Sequence, residues 1–237
     1  MQGYALSHKG LVRKSNQDAF IFLSDIKLLA VADGMGGHRG GDIASTQAVK
    51  ILEEYVRQHE GLPEVILHEA FNEANYQIFS QSKIDANLQG MGTTLTAAIL
   101  REGRLIIAHV GDSRAYLYQE NTFTQLTDDH SFVGELMRHG NITSQEADKH
   151  PNKNMLTRAL GSEETVDVEI RVFEVEKGSK ILLSSDGLSN MLNMEEIKAI
   201  INGHEPVDAV EVLIAKALDR GGIDNITAVL GIVEGEA

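Results

Sequence analysis

The sequence contains no cysteine, and this absence removes several kinds of site at once. Disulfide bonds, zinc sites with thiolate ligands and cysteine nucleophiles are all excluded. No apolar run approaches the roughly 18 residues that a membrane-spanning helix needs, and the N-terminal MQGYALSHKG is not typical of a secretory signal peptide. We therefore expect a cytoplasmic protein that does not enter a membrane.

Positive charge is scarce, with 21 lysines and arginines against 35 aspartates and glutamates and a net charge of −14. The basic residues are scattered and form neither a cluster nor a stripe. Proteins that bind the phosphate backbone of nucleic acid need a basic surface, so we expect no nucleic-acid partner. An acidic protein can still act on phosphate groups when bound metal ions reverse the local charge.

Long linkers and internal repeats are also missing, so we interpret residues 1–237 as one domain. Within it, residues 128–160 differ in pattern from the rest. SFVGELMRHG predicts a short helix ending at Gly140, and TSQE at 143–146 predicts a capping box that begins another helix before Pro151. We predict that 128–160 is a small helical insertion beside the main sheets.

Most of the remaining chain alternates between predicted strands and turns. The predicted strands are QGYALS, DAFIFL, KLLAVA, TLTAAIL, RLIIAHV, AYLY, VEIRVFEV, KILLSS and ITAVLGIV. Short turns at 101–104 and 119–122 predict antiparallel hairpins. Apolar residues at helical spacing predict three helices, with stripes that begin at Ala44, Leu67 and Val210. Sheets with helices added in blocks indicate an α+β fold.

Four aspartates lie at the ends of predicted apolar strands. Asp33 follows KLLAVA, Asp112 follows RLIIAHVG, Asp186 follows KILLSS, and Asp224 lies just before ITAVLGIV. A strand holds a terminal side chain rigidly, and several carboxylates brought together cannot all stay ionised without a positive partner. Magnesium or manganese, which prefer oxygen ligands, would satisfy this requirement.

Glycine surrounds the first of these aspartates, in the stretch VADGMGGHRGGD at 31–42. We expect Gly34 to permit a turn with positive φ and to leave its carbonyl open to a metal. Taken singly, each Asp-Gly pair is more simply explained as a hairpin turn, but the repetition of aspartate at several strand ends favours a metal site. The glycines match neither G-x-x-x-x-G-K-[ST] nor G-x-G-x-x-G, which argues against a nucleotide-binding loop.

The N-terminal stretch GLVRKSNQDAF adds an arginine and another aspartate just before a strand. Arg13 is a surface charge in the simplest interpretation, but beside a metal cluster it would bind a phosphate group through two hydrogen bonds. Asp18 would complete a metal shell, either directly or through water.

Six motifs, taken in order, resemble those of the metal-dependent protein phosphatases of the 2C type. They are R-x-x-N-Q-D at 13–18, VADGMGGHRGG at 31–41, GMGTT at 90–94, GDSR at 111–114, SSDGL at 184–188 and GGIDN at 221–225. The resemblance extends from residue 3 to about 233 and is closest to compact, stand-alone bacterial members. It implies two antiparallel sheets packed face to face, helix pairs on both outer faces (an αββα sandwich), a metal cluster at one end, and a helical flap at 128–160.

The resemblance also implies metal ligands, for two to three Mn²⁺ or Mg²⁺ ions in all. Asp33 resembles the ligand that bridges two metals, and the Gly34 carbonyl binds one of them. Asp186 and Asp224 resemble further ligands of the first metal, Asp18 a water-mediated ligand of the second, and Asp112 a ligand, with Asp186, of a third.

The implied reaction is direct hydrolysis of a phosphomonoester by a water that bridges two metals. Arg13 resembles the phosphate-binding arginine, and Asn225 would orient the neighbouring ligand. Animal members place a histidine directly after the Asp-Gly pair as a candidate proton donor, but this chain has Met35 there. His38 is the nearest histidine and is the candidate acid, with a metal-bound water as the alternative.

The sequence thus predicts a serine/threonine phosphoprotein phosphatase with a role in signalling. Phosphoserine and phosphothreonine proteins are the expected partners, among them a serine/threonine kinase or its substrates, and a monomer is expected. Two alternatives stay open: a catalytically silent phosphatase-like domain that binds phosphopeptides, and a metal-dependent hydrolase of small phosphoesters.

Overall fold

A computed structural model describes residues 1–35 and 40–234 of the chain. The strands are β1 (Gln2–His8), β2 (Asp18–Leu23), β3 (Leu28–Met35), β4 (Gly92–Thr93), β5 (Leu95–Arg101), β6 (Arg104–Val110), β7 (Arg114–Gln119), β8 (Thr122–Gln125), β9 (Glu169–Glu174), β10 (Lys180–Ser184) and β11 (Ile226–Ile232). The α-helices are α1 (Gly41–Gln58), α2 (Pro63–Ile84), α3 (Phe132–Arg138), α4 (Ser144–Asp148), α5 (Asp186–Ser189), α6 (Met194–Gly203) and α7 (Pro206–Asp219), and a short 3₁₀ helix spans Ala86–Leu88. None of the helices in this described part is long and apolar enough to cross a membrane.

The strands form two antiparallel sheets. The first sheet has the order β1-β11-β10-β7-β8, and the second has the order β2-β3-β5-β6-β9 with the short β4 beside the end of β3. The two predicted hairpins are present, since Arg101 pairs with Arg104 and Gln119 pairs with Thr122 across tight turns. Glu120 and Asn121 both have positive φ. This is the conformation of a two-residue type I′ turn, which matches the right-handed twist of the flanking strands.

The strand sequences are almost continuously apolar because both faces of each sheet are covered. In β3, Leu28 and Ala30 pack against α1 and α2, whereas Leu29 and Val31 point the other way, into the space between the sheets. In β11, Val229 also faces the space between the sheets. The predicted four-layer αββα architecture is therefore confirmed.

The three predicted helical stripes are the buried faces of α1, α2 and α7. The capping box predicted at the start of α4 is present, with the Thr143 side chain accepting from the Glu146 amide. Two helices and two short strands were not predicted: α5, α6, β4 and β8. The signal for α6 is a second capping box, Asn193 and Glu196, followed by apolar residues at helical spacing.

The prediction of a positive-φ turn at Gly34 is wrong. β3 continues through Asp33 and Gly34 to Met35 because Gly34 pairs with Thr93 of β4. Gly34 does not have positive φ, and a Cβ on it would lie only 2.0 Å from the Gly41 carbonyl oxygen. Glycine is needed here for a close approach between backbones, not for a turn.

Candidate functional site

Asp18 and Asp33 lie side by side at one edge of the second sheet. Asp18 is the first residue of β2 and pairs in antiparallel register with Asp33, near the end of β3. The Gly34 amide donates a 3.1 Å hydrogen bond to the Gln17 carbonyl, which extends this pairing by one residue. Sheet pairing therefore sets the position of both carboxylates relative to each other.

Asp186 and Asp224 come from the first sheet. Asp186 is the first residue of α5, directly after the end of β10, and Asp224 lies just before β11. Because β10 and β11 run antiparallel, the end of one strand is next to the start of the other. The two aspartates therefore lie at the same edge of this sheet.

Asp112 follows β6 and joins the group through an unusual backbone conformation. The preceding Gly111 has φ +114, and a Cβ on it would lie 2.5 Å from Thr94 Cγ2. An L side chain would be strained at this φ, and the contact with Thr94 leaves no room for one. Gly111 therefore determines where the Asp112 carboxylate points.

These residues surround one cavity of about 670 Å³ at the end of the two sheets. The predicted site residues that line it are Arg13, Asp33, Gly34, Asp112, Asp186, Asp224 and Asn225, together with Met35. Asp18 is not a lining residue, but it is the cross-strand partner of Asp33, which is one. His38 lies outside the described residues.

The pKa values of the carboxyl groups show how unfavourable this gathering of charge is. Burial, with the charges of Asp18, Asp186 and Asp112, raises the pKa of Asp33 well above its usual range. Burial raises the pKa of Asp112 to about 8 and that of Asp18 to about 7, in each case with a contribution from the Asp186 charge. Burial and the neighbouring Asp224 likewise raise the pKa of Asp186. At neutral pH, full ionisation of the cluster therefore requires added positive charge.

Arg13 supplies part of that charge. Its Nη2 donates a 2.6 Å hydrogen bond to Asp224 Oδ2, and this bond raises the pKa of Arg13. The Arg13 side chain is 54% exposed, so it lies at the mouth of the cavity and not among the buried carboxylates. One guanidinium at the rim does not offset the buried charge of the other aspartates.

Two buried carboxylate oxygens fit the requirement for a divalent cation. Asp18 Oδ2 accepts hydrogen bonds from Ser185 Oγ at 2.8 Å and Thr227 Oγ1 at 2.6 Å, and Asp186 Oδ2 accepts one from Asn190 Nδ2 at 3.1 Å. The second oxygen of each carboxylate, Oδ1, is buried without a hydrogen-bond partner. Such oxygens suit Mg²⁺ or Mn²⁺, which bind hard oxygen ligands.

The carboxylates do not form a closed ligand cage. Among residues 1–35 and 40–234, no three Asp, Glu or His side chains already surround a common point at ligand distance. This arrangement fits a cation such as Mg²⁺, which commonly takes one or two protein carboxylates and completes its shell with water. It also means that ion binding would draw the aspartates closer together.

A hydrogen-bonded chain that the sequence analysis did not find holds Asp18. Asn16 Nδ2 donates to Ser7 Oγ at 2.7 Å, and the Ser7 and Thr227 hydroxyls are 2.7 Å apart. Because the Thr227 hydroxyl uses its hydrogen on Asp18, Ser7 is the donor to Thr227. Ser185 lies in a recognised motif, SSDGL, but a hydroxyl residue beside an aspartate gives no signal of its own.

Asn225 connects the N-terminal loop to Asp224. Its backbone amide donates to Asp224 Oδ1 at 2.8 Å. Its side-chain amide donates to the carbonyls of Lys9 and Ser15, both at 2.9 Å, and its Oδ1 accepts from the Gln17 amide at 2.8 Å. The side chain thus fastens the loop that carries Arg13, while the backbone holds the neighbouring aspartate.

His130, another residue that the sequence analysis missed, holds the Asp112 turn. The His130 amide donates to the Gly111 carbonyl at 2.8 Å, and the Gly111 amide donates back to His130 Nδ1 at 3.2 Å. Because Nδ1 accepts, the ring proton is on Nε2, which donates to Glu169 Oε2 at 3.0 Å. This buried imidazole connects the turn before Asp112 to β9.

The site can be compared with known proteins. The serine/threonine phosphatase stp of Listeria welshimeri is 42% identical over 231 residues, which cover 94% of this chain and 92% of that protein. The crystal structure of the Mycobacterium tuberculosis serine/threonine phosphatase PstP/Ppp is 37% identical and superposes with a TM-score of 0.92, covering 99% of both chains. A structure of the PstP catalytic domain in complex with 2 manganese ions is 36% identical, with a TM-score of 0.90 and coverage of 99% of this chain and 98% of that one.

The family profile described as Protein phosphatase 2C matches residues 3–218. This span includes Arg13 and four of the five clustered aspartates, and it ends before Asp224, Asn225 and the last strand. Together with the shared fold, it shows that the chain belongs to the protein phosphatase 2C family.

Proposed function

We propose that this chain is a metal-dependent phosphatase that hydrolyses phosphoserine and phosphothreonine residues in proteins. The observation that carries the proposal is the convergence of four aspartates from both sheets at one cavity, with Asp18 paired to Asp33 behind them and an exposed arginine beside them. Membership of the protein phosphatase 2C family and the named phosphatases among its relatives support it.

Two or three Mn²⁺ or Mg²⁺ ions would be held by the clustered aspartates. Asp33 is proposed to bridge two ions, with the Gly34 carbonyl, Asp186 and Asp224 completing the protein ligands and Asp18 acting through water. Asp112 would share a third ion with Asp186. When bound, the ions supply Lewis-acid chemistry, which activates water and neutralises charge on the phosphoryl group.

The protein's own residues would position the ions and the phosphate. The unpaired Oδ1 atoms of Asp18 and Asp186 point to where positive charge is needed, because their Oδ2 atoms are already bonded to the protein. Arg13 is exposed enough to turn from Asp224 to an entering phosphate, which it would bind through two hydrogen bonds. A cation near Asp224 would favour this change, since it would replace the guanidinium as the partner of that carboxylate.

Proton transfer to the leaving oxygen stays a prediction. His38 is the candidate acid, and it lies outside the described residues. The absence of cysteine excludes a cysteinyl-phosphate intermediate, which is consistent with direct attack by water.

The proposal extends to partners and location. We infer that the substrates are phosphoproteins, including a serine/threonine kinase or the proteins that such a kinase modifies. We further infer that the protein acts in signalling as a cytoplasmic monomer, away from nucleic acid and membranes. The net charge of −14 supports the exclusion of nucleic acid, and the lack of cysteine suits a reducing compartment.

A phosphate-release assay tests the function. We expect a phosphothreonine peptide to be hydrolysed with Mn²⁺ or Mg²⁺, and not in the presence of a chelator or by Asp33→Asn. Full activity in the chelator would contradict the proposal. A marked preference for members of a nucleotide panel would favour the small-phosphoester alternative, and peptide binding without phosphate release by the metal-loaded protein would favour the silent domain.

A further inference from the structure

A second cavity, of about 890 Å³, opens directly beside the candidate active site. Asp112, Asn154 and Asp186 line both cavities, so the two are continuous. Residues of helix α3 and residues 189–194 both line the second cavity. We refer to this second cavity, lined by α3 and residues 189–194, as the flap cleft.

The acidic residues of the flap cleft beyond the metal cluster are neutralised within the protein. Asp128 accepts a 2.5 Å hydrogen bond from Arg171 Nη2. Asp129 binds Arg114 through two hydrogen bonds, Nε to Oδ1 at 2.9 Å and Nη2 to Oδ2 at 2.7 Å. The bidentate Arg114–Asp129 pair is strong and well oriented, so Asp129 does not repel an acidic ligand as a free charge would. Asp128 makes a single contact with Arg171, which also pairs with Glu169.

Two positive charges in the flap cleft have no such partner. Among the residues that the structure describes, neither Arg138 nor Lys153 forms an ion pair. Arg138 Nη2 makes a long hydrogen bond, 3.5 Å, to the Asp129 carbonyl, and both side chains belong to exposed residues. Arg220, the remaining cation of the cleft, is paired with Glu196. The flap cleft thus carries two positive charges that no described carboxylate neutralises, in a protein of net charge −14.

These two cations line a cavity that is continuous with the one in which the phosphate would react. Lys153 directly precedes Asn154, which lines both cavities, and Arg138 is the last residue of α3. Met137 and Met191 both line the cleft and contribute apolar surface to it. Flexible, polarizable methionine side chains suit contact with varied peptide sequences. A cleft with these features fits an extended segment with both apolar and charged side chains.

We propose that the flap cleft binds the segment of the substrate next to the phosphorylated residue, and that Arg138 and Lys153 select acidic side chains in it. This inference rests on the proposed phosphatase function. It names a substrate class, phosphoproteins with Asp or Glu close to the phosphorylated residue. The net negative charge of the chain disfavours such segments, and Arg138 and Lys153 would offset that repulsion inside the flap cleft.

The test compares three phosphothreonine peptides. The three residues on each side of the phosphothreonine are all Glu in the first peptide, all Gln in the second and all Lys in the third. Exposed charge contacts each contribute about 0.2–1 kcal/mol, so two of them predict a Glu-over-Gln preference of about two- to thirtyfold in kcat/KM at low salt. The preference should fall toward one at about 1 M salt, where the screening length is about 3 Å.

Variants assign the preference to the cleft. Arg138→Gln combined with Lys153→Gln should remove the Glu-over-Gln preference and leave hydrolysis of p-nitrophenyl phosphate at the wild-type rate. Lys149→Gln is the matched control, because Lys149 is an exposed cation next to α4 that does not line the flap cleft. It should leave the preference unchanged.

Each contrary outcome is decisive. Equal kcat/KM for the Glu and Gln peptides in the wild-type protein would overturn the inference while leaving the phosphatase function intact. A preference that survives in the double variant would show that acidic residues bind elsewhere. Dimerisation that the double variant abolishes would assign the cleft to a second copy of the chain. Hydrolysis of p-nitrophenyl phosphate without hydrolysis of any phosphopeptide would reject the proposed function, and the inference with it.

Discussion

Asp18 and Asp33 lie directly opposite each other on β2 and β3, so two acidic side chains occupy one cross-strand pair. Like charges opposite each other destabilise a sheet, and burial removes the water that would screen them. The pair is therefore unfavourable for folding of the metal-free protein, and the proposed cation would make it favourable. On this proposal, stability and metal binding are coupled at this position.

Asp33→Asn should stabilise the metal-free protein. The substitution removes a buried carboxyl group that the metal-free fold must either keep protonated or ionise beside Asp18, and it keeps the size of the side chain. Relief of about 1 kcal/mol would raise the melting temperature by about 2–4 °C for a domain of this size. Thermal unfolding in a chelator measures the gain, which should become larger as pH rises. With Mn²⁺ present the order should reverse, because only the wild-type protein gains from the ion. A lower melting temperature for Asp33→Asn in the chelator would contradict this reasoning.

The metal-free protein should lose stability as pH rises from about 4 to 8. Asp112 has a pKa of about 8 in the folded protein and about 4 in the unfolded chain, so between these values the folded state retains a proton that unfolding releases. The free energy of unfolding therefore falls with pH, by at most about 1.4 kcal/mol per pH unit for this one group.

Urea unfolding at several pH values, in a chelator, measures this slope. Asp112→Asn removes one contribution and should give a shallower decline than the wild-type protein. Asp18, Asp33 and Asp186 keep raised pKa values in the variant, so some decline should remain. Identical slopes for the two proteins would show that Asp112 is ionised in the folded state.

Thr227→Val should weaken metal binding without disturbing the core. Valine has nearly the shape of threonine but cannot donate the 2.6 Å hydrogen bond that holds Asp18 Oδ2. Loss of a hydrogen bond that orients a metal-binding carboxylate typically costs about 10–100-fold in affinity. Titration calorimetry with Mn²⁺ measures the change. Thr227→Ser keeps the hydroxyl and should bind Mn²⁺ nearly as well as wild type. Equal loss in both variants would assign the effect to packing.

Gly34→Ala should destabilise the fold strongly. Its Cβ would lie 2.0 Å from the Gly41 carbonyl oxygen and 2.6 Å from that of Gln17, and neither backbone atom is free to move aside. We expect a loss of about 3 kcal/mol or more, measured by urea unfolding. Gly203→Ala is the matched control. Gly203 is the last residue of α6, and a Cβ added there would meet no other atom within 4 Å, so the free energy of unfolding should change by no more than about 1 kcal/mol. Similar stability of the two variants would contradict the close approach.

Local patterns were sufficient to predict most of the fold. Apolar runs bounded by turns identified the main strands of both sheets, and helical spacing identified α1, α2 and α7, because each of these elements buries a regular set of side chains. The patterns missed β4, which has two residues and exists only because it pairs with the end of β3. They also missed α5, a single turn of four residues with no periodicity to detect.

For the site, the sequence by itself determined which side chains are acidic and that several of them end or begin apolar strands. It also determined what chemistry was excluded. The glycines do not have the G-x-x-x-x-G-K-[ST] spacing of a nucleotide-binding loop, and the lack of cysteine excludes a cysteine nucleophile. Only the tertiary structure decided which partners each carboxylate has. Thr227 reaches Asp18 across 209 positions of sequence, and Asn225 reaches Gln17 across 208. These contacts depend on how the two sheets stack, and stacking joins residues whose spacing along the chain carries no local signal.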